Sequence, residues 1–397
     1  MVKNSTLLKA SLFLCMIGGG LHAQDWRTDS PPAQGAKLLE VTDEMPCDAG
    51  ATVFIGNIIR RVTVLTTHEN KVRLVTTVAY EGKSGYTNEE WLEKLELKVS
   101  GTAGNVKVKC GNMQPMFNID IRPSIDIGPP ARSPMPHRTP NLPQRRRPDN
   151  SLTPNGTVVF DNQGHWLYKK GNIRRNIIVY VPVGAKLDID SRYAEIILDS
   201  NVRTVDARIT NGSMTMKDAD GLFLVNTYGS VYASNIGHAE VRLNHGWFHA
   251  KDISTLEINS QVSTVELGVL GRLKISSNDD QYDMDEVGVI SGGKNYGSIR
   301  VNTLRNSLDL SGVNADIKVH NIEPGVTLVR IDGQYADLRL PVDNLKDYTV
   351  DFEGRGSNLY TPFQRLHATD SSFNVIVGTG KKNSFRLKCS NCTVDMK

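Results

Sequence analysis

Apolar and polar residues alternate through most of the second half of the chain. A single polar residue separates Leu187 from Ile189, for example, and another separates Leu256 from Ile258. Side chains two residues apart lie on one face of a β-strand. The alternation therefore predicts short strands that each have one apolar face and one polar face.

A short phrase recurs between these strands: an apolar residue, a polar residue, and then Ser, Thr, Asn, Gly or His. Ten copies lie between residues 189 and 354, and their first residues span 163 positions in nine steps, a mean of about 18. The copies begin at Ile189, Ile209, Val225, Leu243, Ile258, Ile275, Ile290, Leu310, Ile331 and Phe352. A repeat of this length predicts a solenoid, in which each unit buries its apolar face against its neighbours.

The order of elements within one repeat is strand, turn, strand, turn. Two short strands and two turns use about 18 residues for one rung, at roughly 3.3 Å per residue. Leucine-rich repeats have a comparable length, but they need a Leu-x-x-Leu-x-Leu frame that does not appear here. We therefore predict an all-β fold, a parallel β-helix (β-solenoid) of about ten rungs.

The first part of the chain alternates less regularly. Val62 and Val64 share one strand face, and so do Leu97 and Val99. We expect residues 24–122 to form an N-terminal β-rich segment that starts the solenoid or caps its open end. Residues 88–95 are the one candidate helix, with Thr87 or Asn88 as its N-cap.

Residues 123–152 have a different composition. The 22 residues from Gly128 to Asp149 contain seven prolines and the run Arg145-Arg146-Arg147. This composition is typical of an extended loop, here a Pro/Arg-rich insertion before the main solenoid domain at residues 153–397. The basic cluster is either simply solvated or a contact for lipopolysaccharide, an anionic glycan or a partner protein.

Residues 1–23 have the pattern of a secretory signal peptide. Lys3 and Lys9 give a basic start, an apolar stretch follows, and Ala23 provides a small residue before a cleavage site at Gln24. Lipoprotein processing at Cys15 is the alternative. No later stretch is apolar enough to span a membrane, so we expect an exported protein that is periplasmic, on the cell surface or secreted, without a transmembrane segment.

Four cysteines remain after Cys15: Cys47, Cys110, Cys389 and Cys392. An even number in an oxidising compartment indicates disulfides, and four cysteines allow three pairings. We prefer Cys47 with Cys110 and Cys389 with Cys392. The second pair has the spacing of a redox motif, but it lies between strands, so a structural disulfide is the preferred interpretation.

Two segments resemble a known family. Residues 56–64 (GNIIRRVTV) and 179–189 (VYVPVGAKLDI), followed by the repeats, are similar to the bacterial adhesin β-solenoid domains, which include the head domain of auto-transporter-adhesin-like proteins. The resemblance covers roughly residues 50–395, and the Pro-rich insertion departs from it. It implies a right-handed β-helix exported by bacteria. It brings no catalytic motif, and fold alone does not fix function.

Two clusters of side chains are candidates for a chemical site. The densest acidic run contains Asp279, Asp280, Asp283, Asp285 and Glu286, but it lacks the spacing of a known calcium loop, so a solvated strand edge is expected.

The other cluster is histidine-rich. His238, His245 and His249 lie close to Trp247, and a metal site would require three converging ligands. A turn at residues 244–246 should break the strand phase between them. We therefore expect exposed imidazoles beside an aromatic ring, and no metal or other cofactor.

The polar turns have a structural interpretation. Asn226, Asn244 and Asn259 are expected at equivalent positions of successive rungs, where stacked amides would hydrogen-bond along the solenoid. Ser276, Ser291 and Ser311 would continue this ladder.

These observations favour a non-enzymatic cell-envelope protein that presents a solenoid surface for adhesion or for binding protein or glycan. The alternatives are a scaffolding envelope protein without its own ligand and, third, a polysaccharide-active β-helix enzyme. The formal charge of +3 argues against nucleic acid as a partner. The sequence leaves the oligomeric state open.

Overall fold

A computed structural model describes residues 37–58, 60–80, 86–111, 158–160, 166–168, 177–362 and 365–397. The expected signal peptide, the mature start at Gln24 and the Pro/Arg-rich loop at residues 123–152 lie outside the described residues.

The described chain is nearly all β, as the alternating pattern predicts, with one helix, α1 (Asn88–Leu95). The first strands are β1 (Lys37–Pro46), β2 (Thr52–Ile58), β3 (Arg61–Thr67), β4 (Lys71–Tyr80), β5 (Leu97–Thr102), β6 (Asn105–Cys110), β7 (Val158–Phe160), β8 (Trp166–Tyr168), β9 (Ile177–Pro182), β10 (Lys186–Arg192), β11 (Glu195–Leu198) and β12 (Val202–Thr210). The remaining strands are β13 (Ser213–Met216), β14 (Ala219–Thr227), β15 (Ser230–Asn244), β16 (Trp247–Gln261), β17 (Thr264–Ile322), β18 (Leu328–Gln334), β19 (Asp337–Arg339), β20 (Tyr348–Tyr360), β21 (Arg365–Val377), β22 (Asn383–Ser390) and β23 (Thr393–Asp395).

Twenty-one of these strands form one sheet, and β7 pairs with β8 separately. From β10 to β18 each strand pairs in parallel with a strand that lies about one repeat further along the chain, as β10 does with β12. Lys186 lies opposite Thr204, and Trp247 lies opposite Thr264. Each offset is close to the length of one repeat, so the same position of the repeat stacks on itself from strand to strand.

The apolar core follows these stacked positions. One column runs through Leu187, Val205, Leu222, Ala239, Leu256 and Leu273. Its members are all buried. Each fully buried Val or Leu side chain contributes roughly 1.5–3 kcal/mol relative to exposure. The alternation read from the sequence thus identifies the inward face correctly.

The N-terminal segment joins the same sheet. β2 pairs in parallel with both β6 and β10, and β3 with both β9 and β11. Antiparallel pairs of β1 with β4 and of β5 with β6 complete this end. Helix α1 begins after Thr87, as expected, because the Thr87 hydroxyl accepts from the Glu90 backbone and the Glu90 carboxylate accepts from the Thr87 backbone. Trp91 of this helix is buried.

The C-terminal strands depart from chain order. β22 lies between β18 and β20 and pairs in parallel with both. Strand β21 then pairs antiparallel with β20. Cys389 of β22 thereby lies opposite Gly333 on one side and Gly354 on the other.

Candidate functional site

One turn recurs along the repeated part of the chain, and its central residue has a left-handed backbone. Nine non-glycine residues there have φ between 50° and 60°, and they follow one another at intervals of about one repeat. We call them the ridge: Tyr193, Asn211, Tyr228, His245, Val262, Asp279, Tyr296, Asn314 and Tyr335. The backbone N–H of a ridge residue donates to a carbonyl of the next strand, as from Tyr228 to Asn244 and from His245 to Gln261, both at 3.0 Å.

The residue types on the ridge are unusual for this backbone conformation. Asn and Asp tolerate it, whereas a bulky or β-branched residue such as Tyr or Val is disfavoured by roughly 1–2 kcal/mol. The four tyrosines and Val262 are nevertheless 43–57% and 41% exposed. They are five of the ten large exposed hydrophobic residues in the part of the chain that the structure describes. Strained, exposed side chains of this kind suggest a function other than stabilising the fold.

Two rows flank the ridge and contain no charged side chain over six consecutive turns. On one side are Thr210, Thr227, Asn244, Gln261, Asn278 and Asn295, and on the other are Ser213, Ser230, Trp247, Thr264, Gln281 and Ser298. All twelve are exposed or partly exposed. With the ridge residues from Asn211 to Tyr296 they form a surface that we call the uncharged strip, in which Asp279 is the one carboxylate.

The neighbouring surface is charged. On the outer face of the long strands, Lys274 Nζ lies 2.7 Å from Glu257 Oε1 on the adjacent strand. Glu257 in turn stacks on Glu240. The lack of charge in the strip is therefore a local property of the turn and not of the whole surface.

Five aromatic side chains cluster near the middle of the strip, and we call them the aromatic patch: Tyr228, Tyr232, His245, Trp247 and His249. The rings of Tyr228 and His245 stack with centroids 4.9 Å apart. Tyr232 meets Trp247 edge to face at 5.1 Å and lies 6.1 Å from His249. His249 Nδ1 is 3.5 Å from Glu266 Oε2. Clustered Tyr and Trp are typical of binding surfaces, because they supply apolar area together with hydrogen-bonding groups.

Two of the three histidines near Trp247 in the sequence, His245 and His249, therefore lie on one surface, and the third lies apart from them. His238 lies on the outer face of β15 beside Glu240, at 3.5 Å. Among the described residues, no group of three or more His, Cys, Asp or Glu side chains is placed to hold a metal ion. In place of a metal site, this segment contributes to the cluster of aromatic side chains around Trp247.

The inner side of the same turn carries buried polar side chains, but not the ladder expected from the sequence. Asn226 lies opposite Leu243, and Asn259 lies opposite Arg242, so Asn226, Asn244 and Asn259 are not equivalent and that prediction is wrong. The buried column is instead formed by Asn57, Ser191, Ile209, Asn226, Leu243, Ser260 and Ser277.

The two asparagines of this column donate to carbonyls of the turn. Asn226 Nδ2 donates to Gly229 O at 2.9 Å and to Trp247 O at 3.3 Å. Asn57 makes the corresponding pair of bonds to Arg60 O and Glu195 O. Without such a donor, these buried carbonyls would each lose the free energy of a hydrogen bond.

A larger buried network replaces this pattern near residue 280. The Asp280 carboxylate accepts from Ser260 Oγ at 2.7 Å, Ser277 Oγ at 2.5 Å and the Ser263 backbone N–H at 2.7 Å. Asp280 is fully buried, so the expectation of a solvated edge was wrong for this residue. Asp283 and Asp285 do face solvent, as the alternation predicts.

A buried lysine balances the charge of Asp280. Lys294 Nζ donates to Ser277 Oγ at 3.1 Å, Asp280 O at 2.8 Å and Tyr296 O at 2.6 Å, so all three of its protons are used. Ser277 therefore bridges the ammonium and the carboxylate. Burial lowers the pKa of Lys294 to about 8, against the attraction of Asp280. Burial also raises the pKa of Tyr282, whose hydroxyl lies 2.5 Å from Ser260 Oγ.

This network stabilises the turn and is not placed for catalysis. A lysine with a pKa near neutrality is common at active sites, but Lys294 and Asp280 are both fully buried. Gly297 allows the chain to pass close to Asp280. A Cβ at Gly297 would lie 2.1 Å from Asp280 O, so only glycine allows this close approach.

The four candidate disulfide residues, Cys47, Cys110, Cys389 and Cys392, are buried and carry free thiols. The Cys392 thiol donates to Gly333 O at 3.3 Å, and its interaction with the neighbouring Cys389 thiol lowers the pKa of Cys392 and raises that of Cys389. Burial raises the pKa of Cys110 to about 12. The expected pairings stay a prediction, and the contact between Cys389 and Cys392 is consistent with the second one.

Two grooves lie away from the strip. The first, of about 600 Å³, follows the opposite turn and is lined by Asn201, Asp218, Asn235 and Asp252, among others. Asp218 Oδ1 accepts from the backbone N–H and the side-chain amide of Asn235, at 3.1 and 2.9 Å. The second, of about 750 Å³, lies over β18, β20, β21 and β22 and is lined by charges of both signs. No aromatic residue of the described chain lines the first groove, and the second has two, Phe352 and Phe373, with ring centroids 5.3 Å apart.

One feature of the sequence indicates part of the ridge. Gly212, Gly229 and Gly246 are evenly spaced and directly follow Asn211, Tyr228 and His245. A glycine also follows Tyr296, but Ala, Ser or Asp follows the other five ridge residues, so this spacing marks only part of the ridge. The ridge residues themselves vary too much in type to be found by pattern.

No protein-family model and no curated protein matches this chain. Within the described residues, no helix has the length and apolar character needed to cross a membrane.

Proposed function

We propose that the chain is a right-handed parallel β-helix of about ten rungs that acts outside the cytoplasm. Parallel pairing at offsets of about one repeat supports a coil of this kind, as do the stacked apolar columns and the recurring turn. The right-handed sense follows from the resemblance to bacterial adhesin β-solenoid domains. Export follows from the pattern of residues 1–23 and places the protein in the periplasm, on the cell surface or in the medium.

Its function is to bind a protein or glycan of the cell envelope, without catalysis. The observation that carries this proposal is the aromatic patch, in which Tyr228, Tyr232 and Trp247 share one surface. Tyr and Trp are enriched among residues that dominate binding energies, since one side chain gives both contact area and a hydrogen-bonding group. An exposed cluster of this kind is costly unless a ligand covers it.

The test is a depletion experiment with Tyr232→Thr. Tyr232 stacks on Thr215 of the preceding strand, so Thr at this position fits the local backbone. We expect envelope preparations of the producing organism to remove the wild-type protein from solution, and to remove the variant at least tenfold less efficiently. Loss of one binding hot spot of about 2 kcal/mol or more corresponds to this factor.

The matched control is Phe223→Thr. Phe223 is also an exposed aromatic residue, but it lies on the outer face of β14, where its neighbours across the strands are Asp206 and Glu240. This variant should bind as the wild type does. Equal binding by all three proteins would overturn the patch as the binding site, and no binding by any of them would favour the scaffolding alternative.

A further inference from the structure

We propose that the uncharged strip binds a linear, uncharged polysaccharide that lies along the strip, across successive strands. This inference rests on the proposed function and names the class of ligand. It concerns a surface several strands long that contains Tyr228, His245 and Trp247 of the aromatic patch and borders Tyr232 and His249.

The charge distribution selects an uncharged ligand. The strip has one carboxylate, Asp279, in six consecutive turns, whereas 22% of all residues in the chain are charged. An anionic polymer or nucleic acid would require a row of Lys or Arg. A neutral ligand requires neither sign, and an absence of charge also avoids the free-energy cost of covering unpaired ions.

The side chains of the strip suit a sugar. Amides such as those of Gln261 and Asn278 both donate and accept hydrogen bonds, as sugar hydroxyls do. Aromatic rings have a negative face that attracts the C–H groups of a pyranose ring. Rows rich in amides and hydroxyls, on both sides of a ridge that includes Tyr228, His245 and Tyr296, therefore match a ligand with hydroxyl edges and C–H faces.

The dimensions favour a polymer over a single sugar. From the turn at Asn211 to the turn at Tyr296 there are five strand spacings of about 4.8 Å, so the strip is about 24 Å long. A pyranose ring in a linear chain has roughly the length of one such spacing. Charged residues border both ends, with Arg192 and Glu195 before the strip and Asp316 after it.

A protein partner is the other class of ligand that an aromatic surface could accept. Protein interfaces of ordinary size need about 800 Å² on each side. The strip is long, narrow and uncharged, which fits an extended chain of sugars better. Binding to a protein is the competing result, and the experiment distinguishes it by protease digestion.

The experiment uses the full chain and the envelope of the producing organism, separated into protein, neutral polysaccharide and acidic polysaccharide. We expect binding in the neutral fraction after protease digestion. After partial hydrolysis of that fraction, affinity should rise with oligosaccharide length up to about six rings and then level off, because the strip then has no further rungs. Binding should also change little with ionic strength, since no ion pair is involved.

Two amide substitutions on one strand test the location. Gln261→Ala removes an amide inside the strip, and Asn259→Ala removes one from the same strand outside it. Both side chains are exposed, so neither change should unfold the protein. We expect about a tenfold loss of affinity for the long oligosaccharide with Gln261→Ala and no loss with Asn259→Ala.

Several results would overturn the inference while leaving the proposed function intact. These are binding only in the acidic fraction, binding abolished by protease treatment of the envelope, affinity independent of oligosaccharide length, or equal effects of the two alanine variants. No binding in any fraction would contradict the inference and the proposed function together.

Discussion

The two sides of the recurring turn differ in what their residues do. On the outer side, Tyr228 and Tyr296 are exposed and hold an unfavourable backbone conformation. On the inner side, Asn226 and Lys294 are fully buried and hydrogen-bonded to the carbonyls of the turn. One turn therefore contains residues that the fold requires and residues that the fold only tolerates.

The difference shows where such a fold can change its surface residues without losing stability. Inner residues are constrained by the strand above and the strand below, since they pack between both and donors such as Asn226 Nδ2 must reach the carbonyls of the turn. Outer residues contact mainly solvent and each other, so Tyr, Asn, His, Val and Asp can all occupy the ridge. Substitutions on the inner side should therefore lower stability. Substitutions on the outer side should weaken binding and leave stability largely unchanged.

The largest expected effect is on the inner face. Ile258 lies between Val241 and Ile275 and is buried, so Ile258→Asp places a charge among apolar side chains without a partner. We expect a loss of several kcal/mol of unfolding free energy, enough to unfold a marginally stable protein. The adjacent Asn259→Asp makes the same charge on the outer face and should change stability by under about 0.5 kcal/mol. Thermal unfolding of the two variants checks this, and similar midpoints would mean that the strand register is wrong.

The next effect concerns two buried charges, those of Lys294 and Asp280, which Ser277 Oγ bridges. Lys294→Met leaves the Asp280 carboxylate in the turn without its cation, and removing one partner of a buried pair costs about 3–5 kcal/mol. Combining it with Asp280→Ala should destabilise less than the sum of the two single changes, by about 0.5–3 kcal/mol. Denaturant unfolding of the four proteins measures this coupling. Additive losses would show that the two charges do not interact through Ser277.

Stability should also depend on pH through Lys294. Its pKa is lowered to about 8 from an ordinary 10.5, so between these values the unfolded chain binds more protons than the folded one. The unfolding free energy of the wild type should therefore rise with pH from about 8 to about 10.5, relative to Lys294→Met, in which the group is absent. A difference that falls over this range would contradict the burial of a charged lysine.

The sequence was sufficient for features that depend on local order. Alternation identifies the inward residues of β10 to β18, and Thr87 with Glu90 forms the predicted cap of α1, because both signals involve residues a few positions apart. The sequence was less informative about which residues lie opposite each other on neighbouring strands. Ile189 lies opposite Ala207, and not opposite Ile209 where the next phrase begins, because the turn geometry and not the phrase sets the offset.

The candidate site was harder still to predict. Asp280 is buried because Ser260 of β16 and Lys294, 14 residues further along β17, meet it inside the turn, and only the three-dimensional register brings them together. The ridge has no residue signature, and the strip becomes visible only when equivalent positions of successive turns are aligned. The sequence did point to Trp247 and His245 as neighbours, but Tyr228 and Tyr232 come from the strand beside them.

The smallest expected effect is on the ridge. Tyr296→Asn replaces a disfavoured residue by one that tolerates the left-handed backbone, so the unfolding free energy should stay constant or rise by up to about 1 kcal/mol. The reverse change at the next ridge position, Asn314→Tyr, should lower it by a similar amount. A marked loss of stability with Tyr296→Asn would mean that the tyrosine packs as part of the fold.

The most direct test of this division of roles is envelope binding by one combined variant, Tyr228→Asn with His245→Asn and Tyr296→Asn. All three positions lie in the uncharged strip and have the backbone that Asn tolerates. Depletion by the envelope is measured at a temperature where thermal unfolding shows both proteins to be folded. We expect the wild type to be removed from solution and the folded variant to remain in it. Equal removal of both proteins would contradict a binding function for the outer side of the turn.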